Sequence, residues 1–254
     1  MIAKKIHYCW FGGKPLPWLA RRCLASWAWR LPEYQLVRWD ESNVDVYAHP
    51  FTAAAYNAGR HAFVADYVRM QVLAREGGIY LDTDVEALAP FDHLLDDHLF
   101  IGLEWDDRVG TSVIGATPGH WLPKAMLAWY DGVRFDTACL SQLVNVNEVS
   151  RLLGVKGFGA SAQEQLIGRD RVLPVGVFAD PRREAAPGVR PVARHLYAGS
   201  WRDRSHKGAI SQAWRALRKA PGNAGHGLQL CRYRAAQQLR QAGFISATDR
   251  ETRP

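Results

Sequence analysis

The sequence predicts an α/β protein, a mixed and mostly parallel β-sheet flanked by helices, with a basic helical C-terminal tail. Three observations predict it. The chain opens on a strand–loop–helix–strand unit between Lys4 and Asp40. Two strands joined through a helix run parallel, and a parallel sheet is buried on both faces. Segments of helical periodicity then alternate with short apolar runs bounded by Gly and Pro. Finally, charge is segregated along the chain. The formal net charge is +7, yet residues 201–254 hold eleven Lys/Arg and three Asp/Glu, a net of +8. Residues 1–200 are close to neutral, at 21 basic and 22 acidic. We therefore read residues 1–204 as one domain and residues 205–254 as a basic helical extension.

The elements follow in order. "KKIHYC" alternates and ends at Gly12-Gly13 and the turn "KPLP", a strand and then a loop. "WLARRCLASWAWRL" has apolar residues at helical spacing, Leu19, Cys23, Leu24 and Trp27, and stops before Pro32. "YQLVRWD" returns as a strand. "PFTAAAYNAGRHAFVADYVRMQVLAREGG" reads as two helices, with Val64, Val68 and Val72 at i+4 and Tyr67 on the flank. Gly77-Gly78 stop the second helix. "IYLD" is then a short buried strand. "LFIGLEW" and "TSVIGATP" are two more strands, "WLPKAMLAWYDGV" and "NEVSRLLGV" two more helices, and "RVLPVGVFAD" a late strand. "GAISQAWRALRKA" and "GLQLCRYRAAQQLRQAG" are basic amphipathic pieces split by the linker "PGNAGHG".

Composition narrows the function. With 48% hydrophobic and 22% charged residues, the chain has an ordinary globular make-up rather than a disordered one. No apolar run reaches the roughly 18 residues of a membrane span, and the opening segment is too short for a signal-peptide core. The expected location is cytoplasmic, with a peripheral place at the inner face of the membrane if the tail binds anionic lipid. Cys9, Cys23, Cys139 and Cys231 have neither CxxC nor zinc-ligand spacing, so they read as small buried hydrophobes. The basic pI is a property of the tail, so nucleic acid is not an expected partner.

The chemistry-bearing stretch is "GGIYLDTDVE", Gly77 to Glu86. In an extended segment residues i and i+2 point the same way, so Asp82 and Asp84 converge beyond the end of a buried strand. Ligands of open α/β sheets sit in that crevice. Two carboxylates side by side repel, and a divalent cation relieves the repulsion. Oxygen ligation suits a hard ion, Mn²⁺ or Mg²⁺. A DxD taken alone is as compatible with an acidic surface turn. Upstream, Asp66 and Arg69 share a helix face at i, i+3, either as a plain ion pair or as partners of the same crevice. Glu104, Asp106 and Asp107 form an acidic loop after a strand, facing an acceptor or simply solvent.

Four segments, "KKIHYCWFGG", "HAFVADYVRM", "EGGIYLDTDVE" and "HLYAGSW", resemble in order the DXD-containing sugar-binding region of family 32 glycosyltransferases. That family takes in bacterial capsule and polysaccharide transferases, yeast-type mannosyltransferases and, more distantly, clostridial glucosylating toxins. The resemblance runs from residue 2 to residue 201 and is weakest between residues 105 and 190. It implies a GT-A fold and a metal-dependent, retaining transfer of sugar from a nucleoside-diphosphate sugar, UDP-linked rather than GDP-linked. The acceptor is a glycan, a lipid-linked saccharide or a protein. Trp10, with Phe11 and Gly12 beside it, would border the nucleotide base, and Tyr67 would line the same site. Asp66 and Arg69, matching the family's "SDxxR", would bond ribose or donor-sugar hydroxyls. Here Ala65 stands where relatives often have Ser. Asp82 and Asp84 match the DxD and would hold the metal. His195, Ser200 and Trp201 match a late segment that closes over the diphosphate, with His195 available to the metal. Leu196 stands at the position of a second His.

Two other readings compete. "IYLDTDV" also fits the local signature of haloacid-dehalogenase-like phosphatases, with Asp82 as nucleophile. There the motif follows the first strand of the fold, whereas here a whole β-loop-α-β unit precedes it. The second is a non-catalytic binding protein that acts through its basic tail.

Overall fold

A computed structural model describes residues 1–105, 108–159, 161, 163–179 and 188–198. The expected helices of the tail, with Ser200, Trp201, Asp106 and Asp107, lie outside the described residues.

The first unit forms as its sequence dictates. Strand β1 (Lys5–Cys9) leads into helix α1 (Trp18–Arg30), and strand β2 (Gln35–Trp39) returns parallel to β1, Ile6 opposite Leu36. Helices α2 (Pro50–Asn57) and α3 (His61–Glu76) follow, then strand β3 (Gly78–Leu81) on the other side of β1, also parallel. The chain continues through β4 (Val85–Ala87), β5 (Leu99–Trp105), β6 (Arg108–Ala116), α4 (Trp121–Asp131) and α5 (Asn145–Val155). It ends in β7 (Gln165–Ile167), β8 (Asp170–Leu173), β9 (Phe178–Ala179) and β10 (Ala193–His195).

Seven strands make the main sheet in the order β2-β1-β3-β6-β5-β8-β7. Strands β1, β2, β3, β5 and β8 point one way, and β6 and β7 the other. The sheet is thus mixed and largely parallel, as expected. A second, three-stranded sheet, β4-β10-β9, was not legible in the sequence. "RVLPVGVFAD" proves to be two strands in two sheets, β8 and β9. Pro174 lies between them, and proline cannot donate to a ladder.

Alternation along the strands sorts the core to two faces. Tyr80, Ile101 and Ile114 pack with α2–α5 through Phe51, Phe63, Val68, Met126 and Leu153. Ile6, Ile79, Leu81, Phe100 and Val113 pack on the opposite face with Cys23 and Trp27 of α1. Cys9 and Cys23 are free thiols within these clusters, and burial pushes both up to about 12, so they stay protonated. Among the described residues no helix is long and apolar enough to cross a membrane.

The junction of α3 with β3 fixes where the DxD emerges. Gly77 caps α3 at φ 65°, a left-handed value. A Cβ there would come within 2.6 Å of the Pro118 nitrogen and 2.9 Å of the Ala116 carbonyl. The Gly77 carbonyl is held by buried His7, whose Nε2 lies 2.9 Å away. Trp39 donates its indole N–H to His7 Nδ1 at 3.1 Å, which places the imidazole proton on Nε2, donating to Gly77. The ring has no room for a second proton without setting two N–H groups against each other. Burial, the largest cause, accordingly pushes the His7 pKa below 6.5, although the Gly77 carbonyl pulls it up.

Two outcomes follow for stability. Gly77→Ala should cost at least about 1–3 kcal/mol in denaturant unfolding, because the strained φ and the backbone clash add. For His7 the unfolded chain takes up a proton first as pH falls. Its contribution is therefore intact above pH 6.5 and is lost progressively below it. His7→Gln, which cannot titrate, should show a shallower fall in stability than wild type below pH 6.5. Parallel pH–stability slopes would count against the assignment.

Candidate active site at the end of strand three

The site starts from one buried cation. Arg69 sits on α3, and its side chain is only 4% exposed. Nη2 lies 2.8 Å from Asp66 Oδ1 one turn earlier and 2.9 Å from Asp82 Oδ1 beyond β3. Nη1 donates to the Thr111 carbonyl on β6. The guanidinium also lies over the Tyr80 ring, 4.5 Å from its centroid. One side chain thus ties a helix to two strands and sets one positive charge between two carboxyl groups. Its Nε is buried without a hydrogen-bond partner among the described residues.

Asp82 and Asp84 converge by a different route from the one expected. They do not lie on an extended strand. β3 stops at Leu81, and Asp82–Asp84 form a turn closed by the Val85 N–H donating to the Asp82 carbonyl at 2.9 Å. β4 begins directly after it. Strand β10 then pairs antiparallel with β4, His195 opposite Val85. That pairing carries His195 Nε2 to 3.4 Å from Asp84 Oδ1. The chain continues past His195 over Asp84. Leu196 N–H donates to the Asp84 carbonyl at 2.9 Å, and Ala198 N–H donates to Asp84 Oδ2 at 2.7 Å. Between them Tyr197 stacks on His195, ring centroids 3.9 Å apart, at φ 50°, a strained value for a non-glycine residue.

One ligand atom each from Asp82, Asp84 and His195 lies within 4.8 Å of the other two. Two carboxylates and an imidazole are a donor set able in principle to coordinate a divalent cation. Arg69 and the Tyr80 hydroxyl both contact Asp82 through Oδ1.

The electrostatics separate the carboxylates. Burial raises the Asp82 pKa, with Arg69 pulling down and Asp84 pushing up. Burial also raises Asp66, to about 6, against the pull of Arg69. Burial is the largest single effect on Asp84 too, but the bonds from His195 and the Ala198 N–H outweigh it, and its pKa falls. His195 is raised: burial lowers it most, and Asp84, Asp82 and Glu104 together overcome that. The cluster thus favours an ionised Asp84 facing a His195 that keeps its proton more readily than a free imidazole.

The other expected residues lie as follows. Trp10 is half-buried just past β1, its indole N–H bonded to the Lys14 carbonyl at 2.6 Å. Phe11 is buried in the core. Gly12 donates its N–H to the Glu41 carboxylate, and at φ 94° a Cβ there would strike the His61 ring. Tyr67 stacks on His49 at 4.6 Å and meets Tyr130 edge-on. Asn145 was not singled out by the sequence reading. It is 2% exposed, its Oδ1 accepts from the Thr111 hydroxyl at 3.0 Å, and its amide nitrogen has no hydrogen-bond partner among the described residues. An asparagine opening a helix usually reads as a cap, so its sequence gave no hint of this place.

Comparison with known proteins bears on the fold and on one span of the sequence. The family described as "Glycosyltransferase sugar-binding region containing DXD motif" matches residues 17–101. That span takes in Asp66, Arg69, Asp82 and Asp84. A curated relative, subversion of eukaryotic traffic protein A of Legionella pneumophila, is 27% identical over 117 residues. The match covers 35% of this chain and only 18% of that protein's length. Among solved structures, the PaToxG glycosyltransferase superposes with a TM-score of 0.50 at 16% identity, over 61% of this chain and 70% of that one. A glycosyltransferase involved in the glycosylation of the major capsid of PBCV-1 superposes with a TM-score of 0.44 at 11% identity, over 82% and 98% of the two chains. The first superposition shows the GT-A fold. The family match places a sugar-binding region of that kind within residues 17–101, the span that carries the DxD.

Arg69 offers a direct test of the site's architecture. Arg69→Met leaves Asp66 and Asp82 buried beside each other without their cation, and should cost about 3–5 kcal/mol in chemical denaturation. A loss below about 1 kcal/mol would mean that the guanidinium is not the clamp described here.

Proposed function

We propose that the chain is a divalent-cation-dependent, retaining glycosyltransferase akin to family 32, which takes sugar from a UDP-linked donor. The observation that carries this reading is the meeting of Asp82, Asp84 and His195 within 4.8 Å, above the Asp66–Arg69 pair. On this reading residues 1–204 form the catalytic domain and residues 205–254 an extension. Asp82, Asp84 and His195 would hold Mn²⁺ or Mg²⁺. When bound, such a cation neutralises the charge that grows on the departing diphosphate.

The protein's own groups do the rest. Arg69 holds Asp82 in place and pulls its pKa down against burial. Asp66, whose carboxylate is part-exposed at 17%, accepts hydrogen bonds from hydroxyls of the donor's sugar or ribose. Trp10, Gly12 and Tyr67 line the nucleotide end. Leu196–Ala198 pins Asp84 from above. The bond from the sugar's anomeric carbon to the diphosphate oxygen breaks as a bond to an acceptor hydroxyl oxygen forms. Attack comes on the leaving-group face, and the acceptor's proton passes to the departing phosphate. The acceptor is a glycan, a lipid-linked saccharide or a protein side chain, met in the cytoplasm or at the inner face of the membrane.

Asp84→Asn keeps the shape of the side chain and removes its charge. It should lower transfer at least about a hundredfold, several kcal/mol of barrier, with little change in melting temperature. A thermal-shift screen tests the donor: a UDP-sugar should raise the melting temperature of wild type more with Mn²⁺ than after chelation. Near wild-type turnover by folded Asp84→Asn protein, or full activity after exhaustive chelation, would overturn the reading.

A further inference from the structure

Helix α1 buries one stripe, Ala20, Cys23 and Trp27, and leaves the opposite line bare. On that line stand two large apolar residues, Trp18 at 65% exposure and Trp29 at 72%. They are eleven positions apart, which puts them within about 20° of each other around the axis and about 16 Å apart along it. Exposed Ala25 lies between them, so nothing tall interrupts the line. Exposed Arg21 and Arg22 flank it on either side, and Arg30 closes its end. The Arg30 guanidinium stacks on the Trp29 ring at 3.9 Å, and that of Arg22 lies 5.8 Å from the Trp18 ring. No acidic residue occurs between Trp18 and Arg30. Glu33, just beyond, is paired with Lys4, and Glu86 beneath the helix with Arg22.

A single exposed tryptophan is ordinary. Two aligned on a convex ridge, with Arg21 on one side, the Glu86-paired Arg22 on the other and no acidic residue on the helix itself, match the chemistry of one kind of partner. Indole rings favour the depth of lipid headgroups, and guanidinium groups pair with phosphates. A ridge has no cleft to enclose a sugar, and the lone sign of its charge calls for an anionic surface.

We propose that the exposed face of α1 docks on an anionic lipid bilayer, with Trp18 and Trp29 seated among the headgroups and Arg21 and Arg30 on lipid phosphates. This surface is separate from the basic tail and does not depend on the transferase reading. It does have a mechanical link to the site. Trp27 donates its indole N–H to the Val85 carbonyl at 2.8 Å, and Ser26 Oγ accepts from the Ala87 N–H at 2.9 Å. A bilayer under α1 therefore lies directly behind the strand that leaves the DxD turn.

The test uses the full chain, so that the tail is present in every sample. Its tryptophan fluorescence is followed as phosphatidylserine-containing vesicles, brominated on the acyl chains, are added. Wild type should be quenched, and Trp18→Phe/Trp29→Phe should lose most of that quenching. Independently, Arg21→Gln/Arg30→Gln should co-sediment with these vesicles roughly tenfold or more weakly. Both variants alter exposed side chains, so far-UV circular dichroism and melting temperature should match wild type. The proposal is overturned by undiminished quenching in the tryptophan variant, or by unchanged sedimentation of the arginine variant. It is overturned equally by equal binding to vesicles of pure phosphatidylcholine. A concentration-dependent dimer that needs Trp18 and Trp29, without vesicle binding, would assign the face to a second copy instead.

Discussion

The buried guanidinium of Arg69 is the interaction around which this fold is arranged. A cation with no solvent must meet opposite charge and hydrogen-bond acceptors, or its burial is ruinous. Here α3 supplies Asp66, the end of β3 supplies Asp82, and the β6 backbone supplies the Thr111 carbonyl. Each partner belongs to a different element, so the charge ties α3 to the sheet beside the apolar packing. The same charge pulls the pKa of Asp82 down against burial, which raises it. Architecture and chemistry share one side chain.

Around that clamp, rigidity and access are divided between two sheets. The main sheet is covered on both faces and anchors Asp82 from below. The small sheet, β4-β10-β9, is what brings an imidazole and two backbone N–H groups over Asp84. Asp82 is thus held by a helix through the core, and Asp84 by a late segment lying on top.

Much of this was legible in the sequence, for physical reasons. The first strand–helix–strand unit was readable because periodicity, Gly12-Gly13 and Pro32 all agree. Asp66 and Arg69 were readable as a pair because i, i+3 residues must meet on a helix. Asp82 and Asp84 were expected together on a pleat and are together in a turn, so the convergence was foreseen and its geometry was not. What stayed hidden was short or non-local. Strands of three residues, such as β4, β7 and β10, carry no periodic signal. The Thr111 carbonyl has no signature, since any residue supplies one. His7 reads as one more residue of an alternating strand, and only its two ring partners reveal it as the brace of Gly77.

The β4–β10 pairing also has an evolutionary side. It pins Asp84 to Ala198 across 114 residues of chain. Everything between, from Leu88 to Val192, is in effect one long excursion fastened at both ends. The entropy of closing such an excursion grows only with the logarithm of its length, about 0.6 kcal/mol for each doubling. Loops between the core elements of that span can be lengthened at almost no cost to the fastening. The turn that carries Asp82 and Asp84 therefore keeps its fastening whatever the length of the loops between the two strands.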